Sequence, residues 1–238
     1  MQNVTDRTSN PFGMSPPCEH RCSADVEAVF GYGDANADVH VVGDHPGVHG
    51  GAETGVPFSG TDTGLAVHEV LEAVDLLSDP GNEPRPEGTY LSYLHMCCPA
   101  TGETPSPADY ADLEPFFDAE LRAIAAHVLV PVGERATAHV LKHFTAEPYA
   151  DVALDGTAER AGFDDVAAGE AHLDMDALHA REVKGSGWLV LPLQDPSEWD
   201  EEGREAAIDG LETLLSRDYR QTTDLGRFLA TDESYLVR

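Results

Sequence analysis

Three times along this chain a short run of strand-forming residues gives way to a turn and then to apolar residues at helical spacing, and that alternation admits few architectures. The first run, Ala37 to Val42, is rich in β-branched residues and stops at Gly43. A helical pattern follows near Asp62, carrying Leu65, Val67, Val70, Leu71, Val74 and Leu77, with Thr61 or Asp62 placed to cap it. The second run, TYLSYLHM from Thr89, reads as a buried strand ending at Cys97 and Cys98. It precedes PSPADYADLEPFFDAELRAIAAH, where Ser106 caps, Pro107 opens the first turn, and Tyr110, Leu113, Phe116, Phe117, Leu121 and Ile124 share a face. The third, VLVPVG, closes at Gly133 and enters ERATAHVLKHF. A fourth strand-like run, GWLVLPL, leads through the QDPSEW turn to a terminal helix striped by Ala207, Leu211, Leu214 and Leu215. Strands alternating with helices pack as a sheet covered on both faces. The expectation is an α/β three-layer sandwich around a central, mostly parallel four-stranded sheet. Such sheets bind ligands beyond the carboxyl ends of their strands. The polar, glycine-rich stretch from Gly43 to Gly60 is therefore where the site is expected.

Composition narrows the classes. The 238 residues suffice for one core, so a single domain over 18–238 is expected, preceded by a flexible Pro/Gly/Ser-rich arm over 1–17 and interrupted by an acidic, weakly periodic insertion at about 145–187. Fourteen basic against 44 acidic residues leave a formal charge of −30, and Lys142 and Lys184 are the only lysines. That balance resembles the acidic surfaces of proteins from very salty cytoplasm. A hydrophobic content of 41% argues against a disordered acidic chain. No apolar run reaches membrane-spanning length and the first residues lack a signal pattern, so a cytoplasmic monomer with no membrane contact is expected. In that compartment the four cysteines read as thiols or metal ligands rather than disulfides.

Several blocks, in order, resemble the uracil-DNA glycosylase superfamily, closest to its iron–sulfur thermophile-type branch and haloarchaeal relatives. They are VFGYG with VVGDHPG, then TGVPFSG, then YLSYLHMCCP followed by PSPADYADLEPFF, then VLVPVGERA, with QDPSEW as a weaker fifth. The resemblance implies hydrolysis of the bond between base and deoxyribose on a nucleotide turned out of DNA, as in base excision repair. It places Asp44 where a carboxylate or polar residue orients water, and Phe58 where an aromatic stacks on the base. The loop residues Gly43, His45, Pro46 and Gly47 would line the base or a phosphate, with Gln194 and Ser197 of the later turn.

Two positions depart from the pattern. Tyr93 stands where the family carries the asparagine that reads the uracil edge, and a single hydroxyl cannot make the paired amide contact. Asp195 stands where the family carries the histidine that steadies the leaving base anion, and like charges 4 Å apart cost about 4 kcal/mol near a protein surface. Gln194, a protonated Asp195, His45 or His49 are the alternative donors. Cys18, Cys22 and Cys97 fall where the branch places three thiolates of a [4Fe-4S] cluster, although the first pair is spaced CxxxC. The fourth position, counted along the helix, is Leu113, with Cys98 as a substitute. Zinc held by Cys18, His20, Cys22, His95 or Cys97, or plain buried thiols, use the same residues. Arg135, Arg160, Arg181, Arg204, Arg217 and Arg220 are the candidate phosphate contacts. Two function classes follow: a DNA glycosylase, or the same fold kept as a binder of nucleic acid or nucleotide without cleavage.

Overall fold

A computed structural model of the chain describes residues 10, 12–100, 103–145, 172–185 and 187–223. Its sheet has six strands in the order β1-β5-β2-β6-β8-β7. The four central strands are the four runs read from the sequence: β2 (Val39–Gly43), β5 (Thr89–Tyr93), β6 (Val128–Pro131) and β8 (Leu189–Val190). They pair in parallel, with Val39 opposite Thr89 on one side and Val128 on the other. The expectation of four strands is corrected at the edges. Two-residue strands β1 (Tyr32–Gly33) and β7 (Val183–Lys184) add antiparallel to β5 and β8, too short to leave a period in sequence. A separate hairpin pairs β3 (Leu77–Ser78) with β4 (Arg85–Pro86).

Alternating side chains on the sheet feed two cores. On one face Val39, Val41, Val128 and Val130 meet Val67, Val70 and Leu71 of α2 (Asp62–Ala73), together with Ala207, Leu211 and Leu214 of a C-terminal helix, Glu201–Leu215. On the other, Val42, Leu129 and Val190 meet Phe117 and Leu121 of α3 (Pro107–Ile124) and Val140 and Leu141 of α4 (Glu134–Phe144). The caps fall where the sequence sets them. Thr61 accepts from the Gly64 amide, and Ser106 and Asp109 exchange bonds as a capping box. A four-residue helix α1 (Pro46–His49) follows β2, and another, α5 (Met175–Leu178), precedes β7, so the C-terminal helix is α6. The arm expected over 1–17 and the insertion over 145–187 lie largely outside the described residues; the end of the latter supplies α5 and β7.

Candidate active site

All four parallel strands end on one edge, and their order reverses there: the chain leaves β2 toward β5 but leaves β6 toward β8. Loops diverge at such a point and leave a crevice. Here it is an open cleft of about 760 Å³, walled by Asp44 after β2, Gly133 and Arg135 after β6, Asp195 and Ser197 after β8, and His49 of α1.

Asp44 is held from two sides. The Tyr110 hydroxyl of α3 donates to its Oδ1, and Arg135 of α4 lies 3.7 Å from its Oδ2 with the guanidinium 4.6 Å above the Tyr110 ring. Burial and the Asp44 charge push the Tyr110 hydroxyl well above its ordinary range, which keeps it a donor. Each carboxylate oxygen has two acceptor directions, so these contacts leave room for a water on the cleft side. Sequence reasoning missed Tyr110 as a site residue because it sits in an apolar stripe; its hydroxyl at the first turn of the helix was the available signal.

His49 is the second group sequence reading underweighted. The Asp44 amide donates to its Nδ1 over 3.1 Å, which leaves the proton on Nε2 to be donated to Asp195 Oδ2 at 3.2 Å. Asp195 thus lines the cleft with one carboxylate oxygen engaged by His49. Burial alone would raise its carboxyl, but hydrogen bonds from His49 and from the Ser197 hydroxyl and amide outweigh that and hold it down at about 2. Gly133, with φ +83°, sits beside this pair; a Cβ there would lie 3.7 Å from both Asp195 Oδ2 and His49 Cε1, in an already strained backbone conformation.

The expected aromatic pocket is rearranged. Phe58 is wholly buried and outside the cleft lining, with the His49 ring nearly parallel to it, 5.5 Å away. Phe58 also adopts φ +58°, a conformation costly for a bulky side chain, fixed by its amide donating to the Tyr93 hydroxyl at 2.6 Å. That hydroxyl in turn donates to the Gly50 carbonyl at 3.0 Å. Tyr93, expected among the base-binding positions, is a buried clamp on the loop with its one hydroxyl spent on Phe58 and Gly50. Gly43 has no side chain because a Cβ would come within 2.7 Å of both Phe58 and Tyr93. The glycine loop does not form an open amide cradle: Gly47 donates to His45 Nδ1, Asp44 donates to His49, and Pro46 has no amide hydrogen. His45 is buried against His95, outside the cleft lining, and burial holds its imidazole down at about 4. Gln194 lines the cleft with its amide nitrogen bonded to Asp176.

The family model for the uracil DNA glycosylase superfamily matches residues 30–201, a span that contains every wall of this cleft. The chain belongs to the uracil DNA glycosylase superfamily. It is 31% identical to a Type-5 uracil-DNA glycosylase of Thermus thermophilus over 121 residues, 49% of this chain and 55% of that protein. It is 30% identical to one of Pyrobaculum aerophilum over 116 residues, 47% and 51% of the two chains, and 25% identical to one of Mycobacterium tuberculosis over 104 residues, 42% and 39%. The chain spans about half the length of the first two of these curated relatives.

Within this superfamily member the four cysteines converge, Cys18 with Cys97 and Cys22 with Cys98. They are joined as two disulfides, a correction to the expectation of thiols. The segment from Cys18 to Val29 lies along the chain that follows β5, where the Val29 amide donates to the Met96 carbonyl, and this brings the pairs together. Neighbouring Cys97 and Cys98 reach different partners. Leu113, at the counted fourth ligand position, shares with Cys18, Cys97 and Cys98 the wall of a cavity of about 150 Å³. As two disulfides the four sulfurs ligate nothing, and only the reduced pairs would offer the thiolates a four-iron cluster requires.

Of the arginines expected at phosphate, Arg135, Arg204, Arg217 and Arg220 are ion-paired with Asp44, Glu69, Glu182 and Asp38. Arg160 lies outside the described residues. Among the described residues no helix is long and apolar enough to cross a membrane.

Proposed function

We propose that this superfamily member is a uracil-DNA glycosylase-like hydrolase that cleaves the N-glycosidic bond of a flipped-out uracil or other damaged base in DNA. The observation that carries the reading is Asp44, presented at the cleft wall by β2 and braced by Tyr110 and Arg135. A water against Asp44 attacks C1′; the C1′–N bond breaks, its electron pair leaves with the base, and the water proton passes to the carboxylate. The Tyr110 and Arg135 contacts fix the carboxylate's orientation, so the water needs no reorganisation at the moment of attack. The donors from His49 and Ser197 share the Asp195 charge and so reduce, without removing, its repulsion of a departing base anion. With both disulfides reduced, Cys18, Cys22, Cys97 and Cys98 would hold a [4Fe-4S] cluster, Cys98 taking the corner that Leu113 cannot. Bound there, the group would supply a structural tie between the arm and the β5 loop.

A second reading has its own observation. The His49 ring fills the face of Phe58, with both nitrogens bonded, so the fold as it stands has its aromatic slot closed. A closed slot counts against stacking a flipped base, and binding of nucleic acid or nucleotide without cleavage would then use the open cleft instead. Incubation of the full chain with single- and double-stranded oligonucleotides carrying uracil or hypoxanthine, in molar KCl, separates the two. Abasic product that falls by roughly 100-fold or more in Asp44→Asn is expected for a water-positioning carboxylate. Retained oligonucleotide binding with no abasic product on any substrate overturns the glycosylase reading. Iron content and visible absorbance of anaerobically purified protein test the cluster separately.

A further inference from the structure

The helices that brace Asp44 carry a second constellation one turn beyond it. Arg135, His139 and His143 are spaced i, i+4 along one stripe of α4, and Tyr110 and Glu114 repeat the step on α3. Ligand atoms of Glu114, His139 and His143 lie within 4.8 Å of one another. His143 Nε2 stands 3.8 Å from Glu114 Oε1, and the two imidazole rings are 4.6 Å apart. His139 Nε2 is buried with no hydrogen-bond partner, and its ring is walled by the edge-on Phe117 ring at 5.4 Å. A buried, unsatisfied nitrogen is costly, and an imidazole in that state is a lone pair in search of an electrophile.

We propose that Glu114, His139 and His143 form a site for a divalent transition metal of the zinc class, cross-linking α3 to α4. Two imidazoles and one carboxylate are a donor set zinc accepts, and three protein ligands leave one position open to water. Exposed His143 and partly exposed Glu114 provide the entry side, and His139, whose Nε2 is buried, the inner ligand. Metal ligation needs neutral imidazole. The carboxylate also offsets the metal's charge, which a site of imidazoles alone would not.

The test is calorimetric titration of the metal-free, oxidised full chain with ZnCl₂ in molar KCl, with Co²⁺ as a spectroscopic probe. The expected result is saturable binding of one ion per chain, a rise in Tm on adding ZnCl₂, and Co²⁺ bands without sulfur charge transfer. Glu114→Gln and His143→Ala, both at the more exposed side and each checked for native folding by circular dichroism, should weaken binding by at least roughly tenfold. His139→Ala should do the same and abolish the Tm rise. Absence of saturable binding, binding unchanged in all three variants, or sulfur-to-cobalt bands that assign the ion to the cysteines would overturn the proposal.

Discussion

Glu120 lies wholly inside the packing of α3 on the sheet, its Oε1 accepting from the Tyr90 hydroxyl at 2.8 Å. Burial raises its carboxyl from 4.5 to about 7, against hydrogen bonds from Tyr90, Ser92 and the Gly31 amide that favour the charged form. Below about 4.5 the carboxyl is protonated folded and unfolded, with no effect on stability; between 4.5 and about 7 the folded state alone keeps the proton, so stability falls as pH rises, and the loss is complete above about 7. Glu120→Gln should therefore gain on the native protein between pH 5 and 8, by on the order of 3 kcal/mol in urea midpoints at the upper limit; a difference that stays constant with pH would contradict this. At this scale the sequence was only partly legible. Asp44 was singled out by the resemblance of GDHPG to the superfamily's motif, and the fold brings it to the cleft wall. Tyr93 could not, because whether a hydroxyl faces a cleft or a backbone carbonyl depends on where Gly50 returns to it. Asp195 looked hostile to an anion in isolation and became less so once His49 was placed against it.

Helix α3 shows what is readable at the level of elements. Its start was legible because Ser106, Pro107 and Asp109 each act through the chain within a few residues, and the pattern runs on through Pro115 to Ile124. The helix continues past that proline because Phe117 and Leu121 are anchored in the core on its far side. Ser106→Ala removes the oxygen that accepts from the Asp109 amide at 3.3 Å, and should lower stability by about 1 kcal/mol in urea unfolding. A loss near zero would mean that burial alone holds the first turn. β1 and β7 were illegible for the converse reason. A two-residue strand is defined by its partner across the sheet, which sequence proximity does not supply.

For the molecule as a whole, a charge of −30 should make stability a function of salt. The screening length falls from about 10 Å at 0.1 M to about 3 Å at 1 M, so Tm should climb steeply as KCl is raised over that interval and oligonucleotide binding should not weaken in the usual way. A Tm that is flat or falls with KCl would remove the reading of the surface as salt-adapted. The parallel pairing of the central strands was legible from the alternation of strand and helix; their order, with the reversal that opens the cleft between β2 and β6, had to be seen. The same brine that quiets repulsion within one copy also quiets it between copies, which removes the usual electrostatic guard against clumping. The stubby outer strands supply another. With only two residues of ladder at each rim, β1 and β7 give a stray backbone almost nothing to zip onto, and that guard, being a matter of shape, does not fade as the solution thickens with ions.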